Sequence, residues 1–134
     1  MYRALEVIHS FPDEVNFSID LISGLPYLNL DIWKETLQAA VLSGASHVSV
    51  YDLQVEEKTA FGKWYGKQLG EFPLPVEDEA FEMYGLASML LQEAGFEHYE
   101  VSNYARKGRR SRHNQLVVLF TFGFPNSYFD TVVY

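Results

Sequence analysis

The sequence predicts an α/β fold with parallel strands, and three observations predict it. Segments of strand and helix periodicity alternate in the order strand, helix, strand, long connection, helix, strand. The first strand, VNFSIDLI, divides by parity, with Val15, Phe17, Ile19 and Leu21 on one side and Ser18 and Asp20 on the other. Polar groups also gather where the first two strands end, in SIDLISGLP and SVYDLQVEE. In parallel α/β sheets, ligands collect at those carboxyl ends.

Each element has a local reason. RALEVIHSF reads as the end of a helix, with Ala4, Leu5 and Ile8 at helical spacing. SGLP breaks the first strand, Gly24 and Pro26 shaping the turn. Asn29 is placed to cap LDIWKETLQAAVLSG, in which Trp33, Leu37, Ala40 and Val41 share a face and Gly44 supplies the stop. HVSVYDLQVE is the second strand, apolar at first and polar at Asp52, Gln54 and Glu56. KTAFGKWYGKQLGEFPLPV is expected to be a long connection closed by prolines. DEAFEMYGLASMLLQEAG follows as a helix with acids in its first turn. Its expected apolar stripe is Ala80, Tyr84, Ala87, Leu91 and Ala94, and Gly95 ends it. EHYEVSNYA is expected to be a third single strand.

Composition narrows the function classes. A chain of 134 residues suits one domain with a genuine core. There is no secretory leader and no apolar run long enough for a bilayer, so a cytoplasmic or organellar (mitochondrial or plastid) setting is expected rather than secretion. Cysteine is absent, which removes disulfides, thiolate zinc sites and iron–sulfur ligands from this chain's repertoire. The net charge is −8, yet half of the ten Lys and Arg residues fall in ARKGRRSRH. The otherwise acidic body argues against nucleic acid as a partner, because phosphate contacts need a basic face.

The residue that raises a chemical question is Asp20. Burying a carboxylate inside an apolar strand costs several kcal/mol unless something pairs with it. Its parity points it away from the packed helices, toward a polar cavity or a ligand. A carboxylate that caps a turn, or pairs with a core Lys or Arg, is the open alternative.

IDLISGLP, SVYDLQVEEKTAFG, FPLPVEDEAFEMYGLASMLLQEAGFEHYEVSNYAR and RHN, in order, resemble one family over roughly residues 3 to 114. It is the radical S-adenosylmethionine group of oxygen-independent coproporphyrinogen III oxidase and its HemW-type haem-chaperone relatives. The resemblance implies the late βα units of a partial, TIM-like barrel and the α/β segment that follows it over residues 1–104, and the start of a HemN-type C-terminal region with an atypical apolar tail over residues 105–134. In that family a CxxxCxxC loop holds a [4Fe–4S] cluster that binds S-adenosylmethionine and cleaves it to a 5′-deoxyadenosyl radical. The oxidases decarboxylate porphyrinogen propionates; the chaperones bind haem and hand it on, which makes a haem-accepting protein a further partner. An aspartate of the IDLIxGLP strand lies beside S-adenosylmethionine in the family, and this carries over to Asp20. Gln54, at the mouth of the next strand, is a second candidate for that pocket.

The sequence departs from the family pattern in two places. The cluster loop and the early strands are not in it, and without cysteine the chain alone is expected to be inactive as a radical enzyme. After RHN, the chaperone-type HNxxYW pattern keeps His113 and Asn114 but has Val117 and Val118 for Tyr and Trp. Ser111 stands where relatives often carry cysteine. The tail LVVLFTFGFPNSYFDTVVY loses clear resemblance, and LVVLF is prone to strand pairing if exposed. The expected function is therefore that of a HemW-type haem chaperone. The oxidase, or an inactive truncated product, is the alternative.

Two further polar groups bear on a haem or porphyrin ligand. The stretch holding Arg109, Arg110 and Arg112 reads either as a solvated turn around Gly108 or as a capture site for propionates, since guanidinium groups bind carboxylates bidentately. His113 reads either as a haem ligand or as a structural histidine beside Asn114. His9, His47 and His98 lie on separate elements without metal-ligand spacing, and a structural role is expected for His47 and His98 at their strand starts.

Overall fold

The computed structural model describes residues 2–11, 15–56, 58–65 and 74–114. Part of the long connection and the whole tail from Gln115 onward, with Val117 and Val118, lie outside the described residues. The elements are α1 (Tyr2–His9), β1 (Ser18–Ser23), α2 (Leu30–Leu42), β2 (His47–Asp52), α3 (Ala60–Tyr65), α4 (Glu77–Glu93), β3 (Glu97–Glu100) and β4 (Asn103–Ala105).

The strands form one sheet in the order β1-β2-β4-β3. β1 and β2 pair in parallel from Ser18↔His47 to Ser23↔Asp52. β4 runs antiparallel to both β2 and β3, so β3 points the same way as β1 and β2 without touching either. The third expected strand is thus corrected to a hairpin. The Glu100 carboxylate accepts the Ser102 backbone N–H at 3.2 Å and also an N–H of the Asn103 amide, closing a local turn. Such side-chain bonds compete with an extended ladder. The long connection is corrected too, because it contains α3. Thr59 Oγ1 accepts the Gly62 N–H at 2.9 Å, an N-cap contact that starts the helix.

One face of the sheet carries the core. Leu21, Val48, Val50 and Tyr104 pack beneath Trp33, Leu37 and Ala40 of α2 and Met83, Ala87 and Leu91 of α4. The Trp33 indole N–H donates to the Met83 carbonyl at 2.9 Å, tying the two helices together without leaving a buried donor unpaired. The expected α4 stripe needs one correction. Tyr84 is exposed and Met83 takes its place in the core, so the buried line runs Met83–Ala87–Leu91 with Ala80 and Ala94 on its margins. The caps conform to expectation: Asn29 Oδ1 accepts the Ile32 N–H at 2.9 Å, and Gly44 and Gly95 end their helices at positive φ, 81° and 86°.

Candidate functional site

Among the described residues neither α2 nor α4 covers the other face of the sheet, and strand alternation brings polar groups to it. Register aligns them in rows across the strands. Ser18, His47, Ala105 and Glu97 form the row nearest the amino ends of β1 and β2. Asp20, Ser49, Asn103 and Glu100 form the next, with Ile22 and Tyr51 beyond them.

Asp20 lies on this open face, as its parity requires, and is exposed among the described residues. The reason is that nothing among the described residues covers this face beside β1. In the same row Ser49 and Asn103 are buried, at 4% and 6% exposure. Asn103 donates its amide N–H to the Glu100 carboxylate, which can only accept, and this fixes the amide's orientation. Its Oδ1 then finds no partner among the described residues. A buried acceptor without a donor is costly, so the row is short of donors by construction.

At the carboxyl ends the polar groups turn toward one another. Ser23 Oγ donates to the Tyr51 carbonyl at 3.3 Å and to Asp52 Oδ1 at 3.4 Å, and Gln54 donates to Asp52 Oδ2 at 3.3 Å. Gly24, at φ 74°, lets the chain pass close by, since a Cβ there would stand 3.0 Å from Asp52 Oδ1. Gln54 is therefore placed five residues beyond Ser49, the partner of Asp20, and no described contact joins it to Asp20.

A cleft of about 440 Å³ opens instead at the amino ends of β1 and β2. This volume suits a small molecule or one end of a larger one. Asn16, Ser18, His47 and Ser49 form its floor, and the basic segment folds across it through Arg109, Arg110, Ser111 and Asn114. The segment is fastened by Tyr99, a β3 residue that the sequence reading passed over. The Tyr99 hydroxyl accepts the Ser111 backbone N–H at 3.2 Å and the Asn114 amide at 3.3 Å, and lies 2.7 Å from His47 Nε2. Arg110 sends Nε and Nη2 to Glu97 Oε2 at 3.1 and 2.9 Å and stands over the Tyr99 ring. Arg109 lines the cleft with no ion-pair partner among the described residues.

These contacts sort the basic residues named from the sequence. Arg109 and Arg110 come together in the cleft; Arg112 and His113 are exposed on the single helical turn at 112–114 and do not line it. Arg106 is structural, with Nη1 donating to the Ala94 carbonyl and the guanidinium over Phe96 at 4.3 Å, at the C-terminus of α4. His98 stacks on Tyr104 at 4.3 Å. His47 is both structural and part of the cleft wall. Burial lowers its pKa below the ordinary histidine value, against the opposing charge of Asp20. Alternation along β2 puts His47 on the same side as Ser49, so its face was legible in the sequence; its place beside Ser18 is set by the register of β1 and β2.

No family model matches the chain. Among curated proteins it is 42% identical over 101 residues to the heme chaperone HemW of Synechocystis sp., covering 75% of this chain and 24% of that protein. It is 40% identical over 104 residues to the mitochondrial radical S-adenosyl methionine domain-containing protein 1 of Mus musculus, covering 78% of this chain and 23% of that one. It is 37% identical over 99 residues to HemW of Bacillus subtilis. The chain thus spans about a quarter of the length of these relatives. In fold it matches the solved structure of coproporphyrinogen III oxidase (HemN), a radical SAM enzyme from Escherichia coli. The TM-score is 0.67 and the identity 18%, over 91% of this chain and 26% of that one.

Proposed function

Because this chain belongs to the radical S-adenosylmethionine family, in its HemW- and HemN-like branch, we propose that it forms the late βα part of a HemW-type haem chaperone. Residues 1–104 would then be barrel and the α/β segment that follows it, and residues 105–134 the start of the C-terminal region. The observation that carries this reading is the division of the sheet into one packed apolar face and one face whose first two rows are mostly polar. Such a face suits the inside of a barrel that holds a ligand. The two HemW proteins above, at 42% and 37% identity, support the chaperone over the oxidase; the HemN likeness, at 18%, supports the fold.

The residues fit the two cofactors of the family unequally. The row Asp20–Ser49–Asn103–Glu100 presents a carboxylate at each end and an unsatisfied carbonyl oxygen between them. It suits a ligand rich in donors, and S-adenosylmethionine brings an ammonium group and ribose hydroxyls. We assign Asp20 to accept from those groups, with Gln54 at the outer margin. The [4Fe–4S] cluster does not fit. The chain has no cysteine, and among the described residues no three His, Asp or Glu groups are arranged to hold a metal ion. No step of radical chemistry is therefore assigned to these residues.

Haem is the ligand this reading requires; the cationic cleft would receive one of its carboxylates, and the exposed His113, outside the cleft, would offer an imidazole nitrogen to the iron. A haem-accepting protein would follow as partner, in the cytoplasm or an organelle. The test is titration of hemin into the chain, followed by its absorbance band. A saturable spectral change is expected, and it should be lost in the Arg109→Glu, Arg110→Glu double variant. Absence of any saturable change in the unaltered chain would rule the haem reading out.

A further inference from the structure

The hydrogen-bond chain behind the cleft has a direction, and that direction determines what the cleft offers a ligand. The Tyr99 oxygen accepts from both the Ser111 N–H and the Asn114 amide, which occupies its lone pairs. Its own proton must then go to its third neighbour, His47 Nε2, at 2.7 Å. With Nε2 accepting, the neutral imidazole carries its proton on Nδ1, and Nδ1–H donates to Ser18 Oγ at 3.0 Å. The Ser18 hydroxyl proton is left free, and Ser18 lines the cleft. Four links starting at the basic segment therefore end in an O–H donor beside Arg109.

We propose that this cleft binds one carboxylate group, ion-paired by the Arg109 guanidinium and hydrogen-bonded by the Ser18 hydroxyl, with Tyr99 and His47 as positioning residues. It rests on the haem reading only in identifying the carboxylate as a propionate; the site itself follows from the cleft. Charge selects the ligand class. Arg110 is already neutralised by Glu97, so the described cleft has one uncompensated cation. A monoanionic carboxylate matches it, whereas a phosphate dianion would leave negative charge in a body whose net charge is already −8. Burial of His47, which favours the neutral ring, keeps a second cation out of the cleft. Arg110 serves as the wall that holds the segment down, not as a ligand contact.

The probe is sodium propionate, titrated into the chain and followed by NMR at the Ser18 amide and the Arg109 side chain, with sodium phosphate and sodium chloride as parallel arms. Propionate should give saturable shifts at both groups, and phosphate and chloride should not. Arg109→Gln and Ser18→Ala should each weaken propionate binding by about tenfold or more, the usual effect of losing a charge-assisted hydrogen bond. Tyr99→Phe should weaken it as well, although its hydroxyl does not line the cleft. That variant should also move the His47 nitrogen shifts away from the Nδ1–H tautomer, which a merely structural tyrosine would not do. Equal response to all three salts, or unchanged propionate affinity in Arg109→Gln, overturns the site. A saturable propionate response in a chain that fails to bind hemin would uphold the site and sink the haem reading. Hemin binding without any propionate response would do the reverse.

Discussion

At the scale of single residues, His47 shows how geometry turns an ordinary side chain into a directional one. Its imidazole bridges Ser18 and Tyr99 and stands near Asp20, with Arg109 and Arg110 on the overlying segment. Because its folded pKa is lowered, the unfolded chain binds more protons in the acid range, and stability rises with pH there. The contribution of neutral His47 is complete above its ordinary value of about 6.5 and is lost as pH falls through the lowered folded value. Urea unfolding across that window should show the decline, and His47→Gln should remove the part due to this residue. Asp20 makes the opposite kind of prediction. It is exposed, so Asp20→Asn should change stability by less than about 0.5 kcal/mol, and if Asp20 has its proposed role the variant should reduce S-adenosylmethionine binding in equilibrium dialysis.

At the scale of elements, local chemistry sets the ends and tertiary packing sets the faces. Asn29 caps α2 through a bond to Ile32, and Asn29→Ala should cost about 1 kcal/mol in denaturant unfolding. Helix α4 is where periodicity alone misleads. Two overlapping stripes, one through Tyr84 and one through Met83, both read as apolar, and choosing between them needs the partner helix. Packing against α2 makes the choice: Met83 is buried beside Trp33, whose indole N–H donates to the Met83 carbonyl, and Tyr84 stays exposed. The β3–β4 hairpin shows the same limit. EHYEVSNYA alternates well enough for one strand, but Glu100 captures the turn N–H of Ser102 and folds it back.

At the scale of the whole molecule, the described residues form one core, in which α2 and α4 pack on one sheet face with β2 at its centre. β2 is paired on both sides, by β1 and β4, and buries Val48 and Val50 beneath α2 and α4. Its amides should exchange most slowly of all, and those of β1, which lacks a neighbour on its outer side among the described residues, should exchange faster. Leu37→Ala, in the middle of that core, should lower stability by about 2–5 kcal/mol in denaturant unfolding. A mutation on the polar face should cost far less, because few apolar contacts depend on it.

By itself the sequence determined what short-range forces determine. The strand parity that puts Asp20 opposite the helices, the caps at Asn29, Gly44 and Gly95, and the α/β alternation are all fixed within a few residues of each position. The family resemblance was equally legible, because runs such as SIDLISGLP persist as contiguous blocks. Only the tertiary structure decided where the polar groups meet. Ser18, His47, Tyr99 and Arg109 are far apart in sequence, and their convergence at the amino ends depends on the parallel register of β1 and β2 and on β4 reversing the chain beside them. Hydrogen-bond direction around Tyr99 is a property of that assembled network, and no stretch of sequence carries it alone.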